Sequence, residues 1–473
     1  MTADAGVETR LRDHKLLLAT CILLGIMYVP REIASSGPST APIIAVLAAV
    51  LAVRYRAFRE VSTTAVDVVL ALLGFWIAAR LLVIGPLEGE GLDVQFAFRE
   101  IAALVIAMVM YRLGRRQELR PVIITGLAIT AVLLLAVTAY QLAVGLPTLL
   151  ARGYTTANGY YYYTIDGTYR PFGSFNGPTV FGGYLAMTGV FLTLAWRRWW
   201  LTVGIVVGVV LTQTRSAWIA VVAAAVVLAL GSPPVRRQLA VLAFPVAGLT
   251  VALTIVLPSV TAFVTDRALS ATQQGDTSRV TRTELWAGVW EAVWARNAAI
   301  GRGSSDWLLI MSAHAPATVV DLGHPHSNHF QVLFQYGLVG LVLFVALLTV
   351  LVLACRPRPS APYAAASLGA VVVFVVDSTF NNGMSSLNYF VTLLLIVGVG
   401  TEAAQPVAHR LRLTPPIRPP RRPPGPARSP EETADRKPGG VGEHDGDGHG
   451  DPVEQSKDLQ STGTGRENDD GDR

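Results

Sequence analysis

Three of the eight histidines in the chain stand together in Gly323-His324-Pro325-His326-Ser327-Asn328-His329-Phe330-Gln331. The cluster closes a polar stretch, residues 264–329, and leads into an apolar run from Val332 to Leu353, interrupted at Tyr336-Gly337. Imidazole is the side chain that exchanges a proton most readily near neutral pH, so it suits proton transfer with a hydroxyl. Its place where a polar loop meets an apolar run points to chemistry at a bilayer surface. Metal binding is the competing use. The spacing, with no Cys or carboxylate set beside it, is not a zinc signature.

Arginines supply the second set of candidates. In Gln213-Thr214-Arg215-Ser216-Ala217-Trp218 a lone cation separates two apolar runs. A charge at membrane depth is costly, so Arg215 either has a task or snorkels to lipid headgroups. Thr281-Arg282-Thr283-Glu284 has the form of a helix capping box. The residues after it, Leu285, Trp286, Val289, Trp290, Val293 and Trp294, share one broad face, which suits a helix lying in a membrane interface. Arg282 then falls in the first turn, where free N–H groups and the helix dipole favour a phosphate. The alternative is a helix packed on the bundle with Arg279 and Arg282 solvated. Arg170 opens Arg170-Pro171-Phe172-Gly173-Ser174-Phe175-Asn176-Gly177-Pro178, whose Gly and Pro residues demand a defined irregular backbone. Gly301-Arg302-Gly303 reads as a turn and says little alone.

The elements that must hold these residues follow from composition. The chain is 52% hydrophobic and 15% charged, with a mean hydropathy of +0.45. A soluble protein carries about 25% charged residues. Apolar blocks alternate with short charged clusters, and in lipid such blocks must be helical. The expected fold is all-α, a polytopic bundle of about twelve spans. They fall near residues 16–29, 41–54, 65–84, 98–112, 121–144, 178–196, 199–213, 216–230, 238–263, 330–354, 362–377 and 384–400. The seventh and eighth are short and read as half-spans or a tight hairpin. Pro30-Arg31-Glu32 follows the first block, so no cleavable signal peptide is expected.

Charge sets the expected orientation. Alternate loops carry Arg10/Arg12/Lys15, Arg54/Arg56/Arg59, Arg112/Arg115/Arg116/Arg120, Arg197/Arg198, Arg236/Arg237 and Arg356/Arg358. The opposite loops are acidic or polar. The positive-inside rule places both termini in the cytoplasm and the large loop 264–329, with its amphipathic helices, outside. Residues 1–15 form the cytoplasmic N-terminus and 16–402 the membrane domain. Residues 403–473, first Pro/Arg-rich and then Gly/Asp/Glu-rich, lack the apolar residues to bury a core and read as a disordered tail. Cys21 and Cys355 both sit at cytoplasmic span ends, which argues against a disulfide. The net charge of +5 and pI of 9.3 reflect the inside loops rather than nucleic-acid binding.

Taken together, five motifs carry a resemblance. Arg-x-x-Gly-Ser-Phe-x-x-Pro at 170–178, Thr-Gln-Thr-Arg-Ser-Ala-Trp at 212–218, Arg-x-x-x-Trp at 282–286, Gly-x-Gly at 301–303, and His-Pro-His followed by Gln and Gly-Leu-Val-Gly at 324–340 occur in that order. Over roughly residues 100–400 the chain resembles the O-antigen ligase and O-antigen polymerase superfamily of membrane glycosyltransferases. One departure stands out: the family commonly has Asn directly after the second histidine, whereas here Ser327 precedes Asn328.

The resemblance implies a metal-independent, cofactor-free enzyme of the inner membrane, with its active site on the outer face. It would move a glycan from a polyprenyl-diphosphate carrier, undecaprenyl diphosphate in the family, to a glycan or lipid acceptor during cell-envelope polysaccharide assembly. By motif position His326 is the catalytic histidine, with Arg215, Arg282 and Arg170 on the diphosphate. His324, Asn328 and Arg279 are secondary candidates, and His329 a structural residue. The other readings are a polymerase of lipid-linked repeat units and, in a different class, a polysaccharide transporter or flippase. The polar groups gather at one face rather than at mid-membrane, which favours an enzyme over a transporter. The expected partners are the lipid-linked glycan, its acceptor, the bilayer and other polysaccharide-assembly membrane proteins, and no nucleic acid.

Overall fold

The computed structural model describes residues 14–401 with gaps at 28–39, 60, 90–92, 156–163, 166–167, 197, 232, 234, 242–264, 266–268, 270–276, 304–306, 317–324, 359–360 and 382–385. The tail assigned to 403–473 and most of the ninth expected span, 238–263, lie outside the described residues.

The architecture is helical. In chain order the helices are α1 (Lys15–Leu23), α2 (Ala41–Arg54), α3 (Ala65–Ala79), α4 (Val94–Gly114), α5 (Arg120–Ala151), α6 (Pro178–Ala195), α7 (Trp199–Leu211), α8 (Arg215–Gly231), α9 (Thr277–Trp294), the short α10 (Trp307–Met311), α11 (Asn328–Ala354), α12 (Ala364–Phe380) and α13 (Leu387–Gly400). The only paired strands among the described residues are β1 (Thr164–Ile165) and β2 (Thr168–Tyr169). Five helical stretches are long and apolar enough to cross a membrane: Ala65–Leu87, Val94–Gly114, Gln117–Ala151, Pro178–Ala195 and Asn328–Ala354. Five shorter apolar helices accompany them, α2, α7, α8, α12 and α13. Helix α7 has 13 residues, which at about 1.5 Å per residue is shorter than a bilayer core.

Local sequence explains the helix limits. Thr64 caps α3 in a reciprocal box with Asp67, and Asp67 also receives Arg112 of α4 at 2.7 Å. Asp93 caps α4 by accepting from the Phe96 N–H at 2.9 Å. Helix α5 breaks at Gly145 (φ 73°), two residues before Pro147, at the edge of the apolar run. Helix α13 is buried from Asn388 to Gly400 and lies against α4 and α12. An all-round apolar segment is what a central helix requires.

The break at Tyr336-Gly337 becomes a built feature. Gly337 (φ 66°) interrupts α11, and the freed backbone pairs with residues 298–303. Leu338 N–H donates to Ala298 O (2.8 Å), Arg302 N–H to Phe334 O (2.6 Å) and Gly303 N–H to Gln335 O (2.9 Å). A Cβ at Gly337 would lie 2.3 Å from Ala299 O, so only glycine allows this approach. The Gly-x-Gly motif therefore satisfies a helix that its partner glycine has opened. The fully buried Arg80 secures the same segment, donating to Ile300 O (2.8 Å) and Gly301 O (3.1 Å). Trp76 Nε1 donates to Tyr336 O at 2.9 Å.

Candidate functional site

Arg170 sits at the root of the site. The loop that carries it is fixed by Gln141 of α5. The Gln141 Oε1 accepts the N–H groups of Phe172 (3.1 Å) and Gly173 (3.0 Å), and its Nε2 donates to Gly173 O (2.7 Å). Ser174 Oγ donates to Gly25 O at 2.7 Å. So held, the buried Arg170 donates through Nε to Thr212 O (2.8 Å) and through Nη2 to Thr214 Oγ1 (3.0 Å). Its fork grips the turn between α7 and α8. In that turn Gln213 takes a left-handed backbone (φ 53°). The expected hairpin at Thr214-Arg215 is thus a tight turn, and Arg215 follows it as the first residue of α8, partly exposed.

Ser216, next to Arg215, links this turn to the end of α12. Asn381 Nδ2 donates to Ser216 Oγ at 2.8 Å and also to Asp377 Oδ1. Tyr389 of α13 donates to Asp377 Oδ2 at 3.2 Å, and Ser216 bonds the same carboxylate. Asp377 is fully buried. A Cβ at Gly183 of α6 would lie 2.3 Å from its Oδ2, so a glycine admits the carboxylate. Arg282 acts on Asp377 electrostatically.

The histidine loop lands on the same end of α12. Asn328 Nδ2 donates to Ser378 Oγ (2.8 Å), Asn328 N–H to Asn381 O (3.1 Å), and Ser327 Oγ to Ser378 O (3.5 Å). Asn328 is buried, and its side chain anchors α11 to α12. His326 precedes this anchor with φ 49° and is partly exposed. The Trp286 indole donates to Pro325 O at 2.8 Å, and its ring stacks on Phe330 at 5.0 Å. His329 lies edge-on to Phe344 at 5.5 Å in the first turn of α11. His324 lies outside the described residues. Arg279 is helical, but its side chain also lies outside them.

Two expectations about α9 are corrected. The helix begins at Thr277, so Thr281 is not its cap and Arg282 lies in its second turn rather than its first. The backbone N–H groups near Arg282 are inside the helix. Helix α8, by contrast, starts at an arginine, Arg215. The single apolar face also divides. Leu285, Val289, Ala292 and Val293 are buried, the last three against Met311, Leu333 and Phe334. Trp290 and Trp294 are exposed and pair with each other at 5.7 Å. Arg302 caps the far end of α9, donating to Ala292 O at 2.8 Å.

Thus the turn before Arg215, the end of α12, the loop that carries His326 and the helix that carries Arg282 are joined by hydrogen bonds, through Arg170, Ser216, Asn328 and Trp286. Sequence reasoning missed Asp377, Gln141 and Arg80. A lone ionisable residue inside an apolar span was a usable signal for Asp377 and Arg80. Among the described residues no three His, Cys, Asp or Glu side chains stand together as a metal site.

The apolar helices and their shared polar network define a multi-pass membrane protein. Residues 200–345 match the family model described as O-antigen ligase, a match that supports membership of the O-antigen ligase and polymerase superfamily. The match includes Arg215, Arg282 and His326, while Arg170 and Asp377 fall outside it. No curated protein matches the chain.

Proposed function

We propose that the protein transfers a glycan from a polyprenyl-diphosphate carrier to an acceptor hydroxyl at the outer face of the cytoplasmic membrane. A bundle of about twelve spans with both termini inside would place the site there. The observation that carries this reading is the contact network that joins the Arg215 turn, Asp377, the Arg282 helix and the His326 loop.

The chemistry follows from charge. The acceptor oxygen attacks the anomeric carbon, and the bond from that carbon to the diphosphate oxygen breaks. The electron pair leaves on the diphosphate, and the acceptor proton passes to His326. Arg215 and Arg282 hold the developing negative charge, because guanidinium groups offer paired donors and stay protonated. Arg215 also stands at the positive end of the α8 dipole, which favours an anion. Arg170 supports them by holding the turn that presents Arg215. Asp377 balances Arg282 before the carrier binds.

The test is surface glycan in cells producing His326→Ala or Arg215→Ala at normal protein level. Loss of one such donor costs about 3 kcal/mol of barrier, so Arg215→Ala should lower the transfer rate about 100-fold. Normal glycan with both variants sinks the assignment. Deletion separates ligase from polymerase: long lipid-linked chains accumulate if a ligase is lost, single units if a polymerase is lost.

A further inference from the structure

We propose that Trp286 is a positioning residue. It joins the helix that carries Arg282 to the loop that carries His326, and so sets the spacing between the cationic and proton-accepting parts of the site. This inference rests on the roles given to Arg282 and His326 above.

Register supplies the first argument. Trp286 lies four residues after Arg282 on α9, one turn further along the same face. Phe330 lies four residues after His326, in the first turn of α11. One side chain meets the histidine loop on both flanks. The Trp286 indole N–H donates to Pro325 O at 2.8 Å, immediately before His326. The Trp286 ring lies flat on Phe330, with centroids 5.0 Å apart and planes 10° apart.

The second argument is the backbone of His326. Its φ of 49° is a left-handed conformation that costs a non-glycine residue about 1 kcal/mol. Such a conformation persists only where neighbours hold it. Ser327 and Asn328 hold the loop from the α12 side, and Trp286 holds it from the α9 side. Packing alone does not account for Trp286. Val289, Ala292 and Val293 already bury the helix against α11, while the two outward tryptophans, Trp290 and Trp294, are the pair suited to a lipid interface.

The full-length chain in liposomes tests the inference. The donor is lipid-linked glycan extracted from producing cells, and membranes of the same cells supply the acceptor. Trp286→Phe keeps a ring for the stack and deletes the indole donor. Its kcat should fall on the order of tenfold, while the KM for the lipid-linked donor stays within about twofold, the split expected when a transition-state interaction is displaced. Phe330→Leu attacks the other flank and should give the same split, which keeps the test valid if Trp286→Phe does not accumulate. Trp290→Phe should behave as the parent protein. An unchanged kcat in Trp286→Phe and Phe330→Leu overturns the inference. So does a raised KM at full kcat, which would put Trp286 on the donor itself. A separate control addresses the underlying reading: if His326→Ala turns over at the parent rate, the role of His326 fails whatever Trp286 does.

Discussion

Asp377 shows how one residue organises the site. It is a buried carboxylate with Tyr389, Asn381 and Ser216 bonded to it and Arg282 nearby. Removing one member of a buried charged group strands the others, which typically costs about 3–5 kcal/mol. Asp377→Ala should therefore lower the thermal unfolding temperature and abolish transfer. Asp377→Asn keeps the shape and should retain most of the stability while still impairing transfer. If Asp377→Asn transfers glycan normally, the carboxylate charge plays no part in placing Arg282. Asn328 belongs to a different category. Its amide is bonded to Ser378, so Asn328→Ala should cost about 1 kcal/mol of stability, read from a chemical or thermal unfolding curve. In sequence Asn328 stands one place later than the asparagine of the family the chain resembles. The contact with α12, far away in sequence, is what gives Asn328 its use.

At the scale of elements, the interrupted helix α11 carries the clearest consequence. Gly337 combines a positive φ with backbone contact to residues 299–301. Gly337→Ala meets Ala299 O at 2.3 Å and should separate the 298–303 segment from α11. The expected result is faster proteolysis of the segment between α9 and α11, with transfer lost; unchanged proteolysis would mean that the break tolerates a side chain. The pairing was invisible in sequence, because a Gly-x-Gly pattern names no partner. The interruption itself was legible, since Tyr336-Gly337 stands inside an otherwise apolar run. The start of α9 was misplaced for a related reason. The Thr281–Glu284 pattern matches a capping box, yet the helix runs from Thr277 and tertiary packing fixes it through Leu285, Val289 and Val293.

For the whole molecule, the proposed topology makes a labelling prediction. Cys21 and Cys355 are buried, so they should stay silent toward a bulky impermeant maleimide. Thr283→Cys, on an exposed position of α9, should react in intact cells. Arg59→Cys, exposed after α2, should react only once the membrane is permeabilised. Reaction of Arg59→Cys from outside would invert the arrangement and remove the outer-face site.

The sequence by itself determined the helical membrane class, the positions of the described apolar helices and the resemblance to the O-antigen ligase family. Each is written in local composition or short motifs: apolar blocks of spanning length, arginine-bearing loops, and motifs around Arg215, Arg282 and His326. Lipid leaves an apolar block no other backbone solution, so local information sufficed. Only the tertiary structure decided what those residues touch. It bonded Asn381 and Asp377 to Ser216, turned Arg170 onto the Thr212–Thr214 turn, and set Trp286 against Pro325. These contacts join residues from 39 to 165 positions apart, and pairings at that range depend on how helices pack side by side. Spacing along the chain carries no record of that packing.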